Sequence, residues 1–285
     1  MFKKLSERSL LELTDEEFKK FSDLIYQLSG IYLKDSKITL LSNRLRQRIN
    51  ERNFGSFAEY YDYIRKGEDQ GEINQMLNAV STNETYFFRS EKHFEALTEK
   101  IMPELLKKIN RPIRIWCAGC SSGEEPYTVA MIMNEKNWLS HRLVEIYGSD
   151  MNTDVLDEAK KGLYDVKRLR ATPDYYKDKY FKKYDQDTYK FDEQIAGYVK
   201  FFRQNLLTDS FDDLYDVIFC RNVMIYFDKP VQQKIVSKFY DAMTPGGYLM
   251  IGHSESLYFI ETKFVYEKIM DAPVYHKDDS VIRKV

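Results

Sequence analysis

Glu124 and Glu125 open a helix directly after a loop that carries Gly119 and Gly123. The stretch Ile113 to Tyr127 reads IRIWCAGCSSGEEPY: a short apolar strand, a glycine-bearing loop, and a helix with acids in its first turn. The glycines allow the backbone to approach a ligand where a Cβ would collide. Such a turn marks a nucleotide-type site at the carboxyl edge of a parallel sheet. A phosphate binder would place amide donors or a lysine where these acids stand. Two carboxylates repel a pyrophosphate and suit a cationic or hydroxyl-rich ligand. Taken alone, the loop reads equally well as an ordinary tight turn.

Further residues reinforce the site reading. Asp150 follows the next strand, where an acid accepts ribose hydroxyls in nucleotide-binding sheets; its alternative role as a helix cap can be filled by Asn152. A sulfonium, an ammonium and a ribose diol occur together in S-adenosylmethionine, which fits this acidic set. Asn205-Leu206-Leu207 falls where a later strand presents its end. Arg221 and Asn222 follow strand Val217–Cys220. Asn222 can donate or accept within the site; Arg221 can meet a ligand carboxylate or pair internally with Glu124 or Glu125. Ser81–Arg89, STNETYFFR, is rich in hydrogen-bonding groups and paired aromatics. Asn83, Thr85 and Arg89 suggest a strap folded over the cofactor, and the alternative is a helix junction stapled by Phe87 and Phe88.

The elements that must position these residues are legible from their periodicity. Residues 1–80 read as a helical domain. Thr14-Asp15-Glu16-Glu17 is a capping box opening onto Phe18, Phe21, Leu24, Ile25 and Leu28. Gly30 ends that helix. Further helices begin near Asp35 and after Gly55, and another covers roughly Gln70 to Val80. Residues 81–92 form the strap, and 93–285 alternate strand and helix, which predicts a parallel α/β sheet. Phe264–Ile269 and Val274–His276 close it as a hairpin, the signature of the class I methyltransferase variant of a Rossmann-like sheet. Within 163–203, Thr188–Asp192 and Tyr198–Arg203 read as the pair of a small antiparallel insertion. Thr244-Pro245-Gly246-Gly247 reads as a turn before strand Tyr248–Gly252.

The segments STNETYFFR, CAGCSSGEEPYT, GSDMN, QNLL, FCRNVMIYF and TPGGYLMIGHSES, in this order and spacing, resemble those of the chemotaxis receptor methyltransferases, the CheR family. The resemblance covers nearly the whole chain. It implies a class I S-adenosylmethionine-dependent methyltransferase domain behind an all-α N-terminal domain. It implies methyl transfer to glutamate side chains on the cytoplasmic helical bundle of chemoreceptors, with S-adenosylhomocysteine as product. By position it implicates Asn83, Thr85, Arg89, Glu124, Asp150, Asn205, Leu206, Arg221 and Asn222 in cofactor binding, with Glu124 preferred to Glu125. A methyltransferase acting on another protein or small molecule, or a non-catalytic cofactor-binding module, are the alternatives.

A glutamate nucleophile, with a reference pKa of about 4.3, is ionised at neutral pH. No general base is required, in keeping with the absence of a Ser-His-Asp or Cys-His constellation. Arg89 is the candidate for holding the substrate carboxylate in register with the cofactor. Tyr226 is the candidate for closing over the methyl group, its alternative being packing beside Phe227. On a helical wheel Lys37, Arg44, Arg48 and Arg52 fall on one stripe. They read as a basic strip steering toward an acidic receptor helix or as a solvated face.

Composition excludes several other classes. Net charge is −2, so nucleic-acid binding is not written in the overall balance, and stacking aromatics are not interleaved with the basic stripe. Three cysteines do not make a disulfide framework and fit a reducing cytoplasm. Cys117-x-x-Cys120 lacks the ligands of a structural zinc site, so no metal is expected. His253 reads as a structural histidine. No leader of signal-peptide length and no membrane-spanning run is evident.

Overall fold

Thr14 caps the first helix, α1 (Asp15–Ser29), as its sequence requires: its Oγ1 accepts from the Glu17 N–H at 3.2 Å, and Glu17 accepts the Thr14 N–H at 3.0 Å. Gly30 ends the helix in the left-handed conformation, φ 76°. The computed structural model describes residues 12–278. The N-terminal stretch expected to carry no leader lies outside them. Residues up to Thr82, with Tyr226–Asp228, form one compact unit; Asn83–Ile225 and the chain from Lys229 form another.

In the helical unit α1 packs on α2 (Ile38–Glu51) and α3 (Phe57–Ile64), and α4 (Gln70–Val80) packs on α2. Their apolar stripes meet at Phe21, which lies edge-on to Phe57 and stacks on Tyr60. The basic stripe of α2 makes contacts of its own. Arg48 donates twice to Glu72, at 3.0 and 2.6 Å, and also reaches Glu51. Arg52 lies 3.0 Å from Asp69 and 3.3 Å from Glu72. Arg44 donates to the Val80 carbonyl and, at 3.2 Å, to Thr82. Lys37 is exposed. Arg48 and Arg52 therefore flank a buried glutamate and Arg44 caps α4, while Arg52 keeps much of its surface exposed.

The second unit begins with α5 (Glu91–Ala96), which passes through a π-helical turn into α6 (Met102–Lys108). Strands β1 (Ile113–Ala118) and β2 (Val144–Asp150) flank α7 (Glu124–Glu135), and α8 (Thr153–Lys161) follows. A three-stranded sheet interrupts the rhythm. It has the order β3 (Leu163–Asp165), β5 (Thr188–Phe191), β4 (Phe181–Lys183), with α9 (Asp174–Tyr180) between β3 and β4 in the chain. Then come α10 (Glu193–Ala196), β6 (Val199–Arg203), β7 (Tyr215–Cys220), α11 (Lys229–Asp241), β8 (Met243–Ile251), β9 (Val265–Ile269) and β10 (Ala272–His276). The main sheet runs β6-β2-β1-β7-β8-β10-β9, parallel up to β8 and closed by the antiparallel hairpin.

Two expectations are corrected. Residues 199–203 do not pair with 188–191. They form the parallel edge strand of the main sheet, Ile146 opposite Val199 through Asp150 opposite Arg203; the partners of β5 are β3 and β4. Alternation alone cannot say which edge a strand joins. Thr244–Gly247 is no separate turn but a bulge inside β8, with Tyr215 opposite Met243 and Val217 opposite Tyr248. Gly246 takes φ 75° there, and a Cβ on Gly247 would lie 2.9 Å from the Asp216 carbonyl oxygen.

Candidate functional site

The chain leaves β1, turns out to β2 and β6, and returns to the other side of β1 as β7. That reversal places a crevice at the carboxyl ends of β1 and β7, where ligands bind in open parallel sheets. The Gly119 and Cys120 N–H groups both donate to the Ser149 carbonyl at 2.8 Å, fixing the glycine loop on the end of β2. Gly119 has φ 76°, and a Cβ there would lie 2.5 Å from Val223. Gly123 has φ 90°, and a Cβ would lie 2.8 Å from Ala159 and 3.1 Å from Phe201. The glycines are thus required by the chain's own packing and left-handed backbone rather than by a ligand at those atoms.

Asp150 ends β2 with its carboxylate turned to the loop. It accepts from Ser121 N–H at 2.8 Å and Asn152 N–H at 2.9 Å. An ionised carboxylate has about four acceptor positions, so these amides leave capacity for a hydroxyl. Burial pushes the Asp150 carboxyl up, while the amide donors oppose this. Asn152 caps α8, accepting from Asp154 and Val155, which leaves the capping role to it. Gln204 donates its N–H to the Asp150 carbonyl at 3.0 Å, so Asn205 and Leu206 follow directly beside this strand end. Both are buried; Asn205 accepts the Leu207 N–H at 3.0 Å, and the Leu206 carbonyl accepts from Lys238.

The two helix-opening acids have separate environments. Glu124 is 0 % exposed, accepts from Ser122 Oγ at 2.9 Å, and lies 3.1 Å from Arg168. Burial pushes its carboxyl up to about 7 against the opposing charge of Arg168. Glu125 keeps some exposed surface and pairs with Arg221 at 2.6 Å; burial raises it, and Arg221 pulls it back. Glu124 is thus fully enclosed, while Glu125 keeps a small exposed surface beside Arg221. Arg221 takes the internal pairing, its guanidinium also donating to the Arg89 carbonyl and lying 5.5 Å from the Phe94 ring centroid.

The strap lies against the glycine loop rather than acting as a helix junction. Ser121 Oγ donates to the Asn83 carbonyl at 3.0 Å, and Arg168 donates to the Thr85 carbonyl at 3.0 Å. Phe87 is enclosed by Tyr164, Phe181 and Phe191, and Phe88 donates its N–H to Thr128 at 3.2 Å. Burying such a phenylalanine contributes roughly 2–3 kcal/mol. Arg89 donates to the Glu84 carbonyl at 3.1 Å and lies 5.6 Å from the Tyr86 ring centroid. Asn222 adopts φ 59° and donates its N–H to Glu255 at 2.8 Å. Tyr226 groups with the helical unit, where its carbonyl accepts the Tyr32 N–H at 2.9 Å.

Two residues that matter here are missed by sequence reasoning. Glu255 gathers the N–H groups of Gly252, Asn222 and Ile225 on one carboxylate and so shapes the turn after β7; its place in GHSES is its signal. Arg168 sits in the run Lys167-Arg168-Leu169-Arg170, which looks like a solvated charge run. Among the described residues no group of three or more His, Cys, Asp or Glu could hold a metal ion. Burial pushes the thiols of Cys117, Cys120 and Cys220 well up. No described helix is long and apolar enough to cross a membrane.

The donor set fits S-adenosylmethionine. Asp150 offers acceptor positions for a ribose diol, and Glu125 offers negative charge for an ammonium or sulfonium. The arginines at the loop are already paired with acids, so they do not form a phosphate cradle. Residues 83–272 match the family described as CheR methyltransferase, SAM binding domain, and residues 16–81 match its all-alpha domain. A chemotaxis protein methyltransferase of Borreliella burgdorferi is 37% identical over 257 residues, covering 87% of this chain and 90% of the relative. Chemotaxis protein methyltransferase 2 of Vibrio cholerae is 35% identical, covering 93% of this chain and 94% of the relative. The Escherichia coli chemotaxis protein methyltransferase is 33% identical, covering 89% of each. With the class I sheet, the helical domain and the acid-lined crevice all in place, the chain belongs to the CheR methyltransferase family, and its cofactor is S-adenosylmethionine.

Proposed function

We propose that this protein esterifies glutamate side chains on the cytoplasmic helical domain of chemoreceptors, working in the cytoplasm. The observation that carries the reading is the arrangement around Asp150. A carboxylate with acceptor capacity to spare stands beside a strap and a glycine loop tied together by hydrogen bonds. Such a site orients an electrophile, and an acceptor that is already ionised needs no base to react there. Glutamate is one, and the names of the relatives place their activity in chemotaxis.

When bound, S-adenosylmethionine supplies a methyl group whose sulfur departs as a neutral thioether. The chain's part is to hold and exclude. Asp150 would accept the ribose hydroxyls. Asn205, Leu206 and Asn222 would border the nucleoside, and Asn83, Thr85 and Arg89 would close the strap over it. Glu125, or Glu124 after rearrangement, would face the cationic end. Arg89 would hold the incoming carboxylate in register with the cofactor. Alignment of this kind can lower a barrier by roughly 7–11 kcal/mol. Arg221 shapes the site through Glu125 and the Arg89 carbonyl.

The test combines the protein, methyl-labelled S-adenosylmethionine and a purified receptor cytoplasmic domain. Base-labile label on receptor glutamates is the expected product. No label on an intact receptor domain, with label appearing on another acceptor in a receptor-free lysate, would reject the assignment.

A further inference from the structure

We propose that Arg168, in the three-stranded insertion, is a positioning residue of the cofactor site, so that the insertion is a working part of that site. This rests on the cofactor reading above. The strap connects to the sheet through α5, and beside Ser121, Thr128 and Arg221 the insertion supplies several of the groups that hold it. The Arg168 guanidinium bridges two segments, donating to the Thr85 carbonyl at 3.0 Å while standing 3.1 Å from Glu124 Oε1. The Arg168 carbonyl accepts the Phe87 N–H at 3.0 Å, so main chain and side chain grip the strap together. Arg170 lies 3.8 Å from the centroid of the Tyr86 ring and 3.6 Å from Glu84. Tyr164 donates its hydroxyl to the Ser122 carbonyl at 2.7 Å, tying the insertion to the glycine loop.

Charge makes Arg168 more than a packing element. Glu124 has no exposed surface, and an ionised carboxylate buried without a partner is strongly disfavoured. Losing Arg168 leaves Glu124 to take up a proton or admit water. Either change loosens Ser122 and the first turn of α7, and Thr85 loses its donor. The backbone that would line the ligand shifts, while the sheet core stays packed. The effect therefore falls on cofactor affinity and not on the chemical step. A lysine can neutralise Glu124 but cannot also reach the Thr85 carbonyl with a second fixed donor, so it restores only part of the function.

The experiment measures S-adenosylhomocysteine binding by calorimetry, and KM and kcat for S-adenosylmethionine with receptor domain, in wild type, Arg168→Met, Arg168→Lys, Glu124→Gln and the Arg168→Met/Glu124→Gln double variant. Arg168→Met is expected to bind at least tenfold more weakly, with KM raised in proportion and kcat at saturating cofactor within about threefold. Arg168→Lys should fall between it and wild type. The double variant should cost less than the sum of the singles, as residues sharing one interaction do. Folded Arg168→Met that binds like wild type overturns the proposal, and so does a loss confined to kcat. Should Arg168→Met not fold, Arg168→Lys decides: a loss of threefold or more supports the role, and unchanged affinity overturns it. A wild-type protein that binds no S-adenosylhomocysteine sinks the cofactor reading itself.

Discussion

The helical unit and the methyltransferase unit each bury arginine–glutamate pairs, and they use them differently. In the helical unit Glu72 is held by Arg48, Arg52 and the hydroxyl of Tyr60, which donates at 2.8 Å. All of these partners sit on helices that already pack through Phe21, Tyr60 and Leu45, so the network seals an interface that the apolar stripes define. In the methyltransferase unit the arginines of Glu124–Arg168 and Glu125–Arg221 also donate to the carbonyls of Thr85 and Arg89. There the pairs fix a strap whose position no regular element dictates. The same chemistry stabilises in one place and sets the shape of a binding surface in the other.

The strongest way to break this contrast is to remove one partner in each unit. Glu72→Leu leaves Arg48 and Arg52 without their shared acid, and Arg221→Met strands Glu125. Breaking a buried pair costs about 3–5 kcal/mol, so urea unfolding should show losses of that size in both. S-adenosylhomocysteine affinity should separate them: unchanged in folded Glu72→Leu, and reduced at least tenfold in Arg221→Met because the Arg89 carbonyl loses its anchor. Equal effects on binding in the two variants would erase the distinction.

The contrast also marks what the sequence could disclose. Thr14, Gly30, the apolar stripes and the alternation of strand and helix are local or periodic signals, and the structure follows them. Asp150 was recognisable because a strand end and a glycine loop are both short-range features. Arg168–Glu124 joins residues far apart in the chain, and nothing in Lys167–Arg170 distinguishes a clamp from a solvated run. The misassigned strand Val199–Arg203 has the same origin: alternation defines a strand, and the choice of edge is decided by packing, here Phe201 against Gly123 and Gly148. That Arg48 and Arg52 meet an acid is likewise not legible in α2, because Glu72 lies on α4.

Asp150 offers a sharper test with a smaller effect, since it carries no ion pair. Asp150→Ala removes acceptors for ribose hydroxyls, each worth ~1.5–3 kcal/mol when charge-assisted. Ser121 and Asn152, whose N–H groups it also serves, are buried, so the variant also loses some stability. Calorimetry should show cofactor-product binding weakened tenfold or more in the folded variant. Unaltered affinity in a folded variant would remove Asp150 from the site.

The smallest effect concerns pH, and it sets two buried groups of the methyltransferase unit against each other. His93 is buried, and burial followed by the charge of Arg221 and then His253 pushes it down to about 4. Between about pH 4 and its ordinary value near 6.5 the unfolded chain binds the proton and the folded chain does not, so this group makes stability rise with pH. Glu124 has the opposite sign. Its folded value of about 7 lies above the ordinary carboxylate value, so the folded chain holds the extra proton and stability falls as pH rises toward 7. Each swing is on the order of 2 kcal/mol between pH 5 and 7. Because Asp150 and Glu125 are also raised, the wild-type curve alone does not isolate either group, but differences from it do. Relative to wild type, His93→Gln should gain stability at pH 5 over pH 7, and Glu124→Gln should gain at pH 7 over pH 5. Difference curves of the same sign would mean that Arg168 holds Glu124 ionised throughout, and the shared proton at the loop would have to be abandoned.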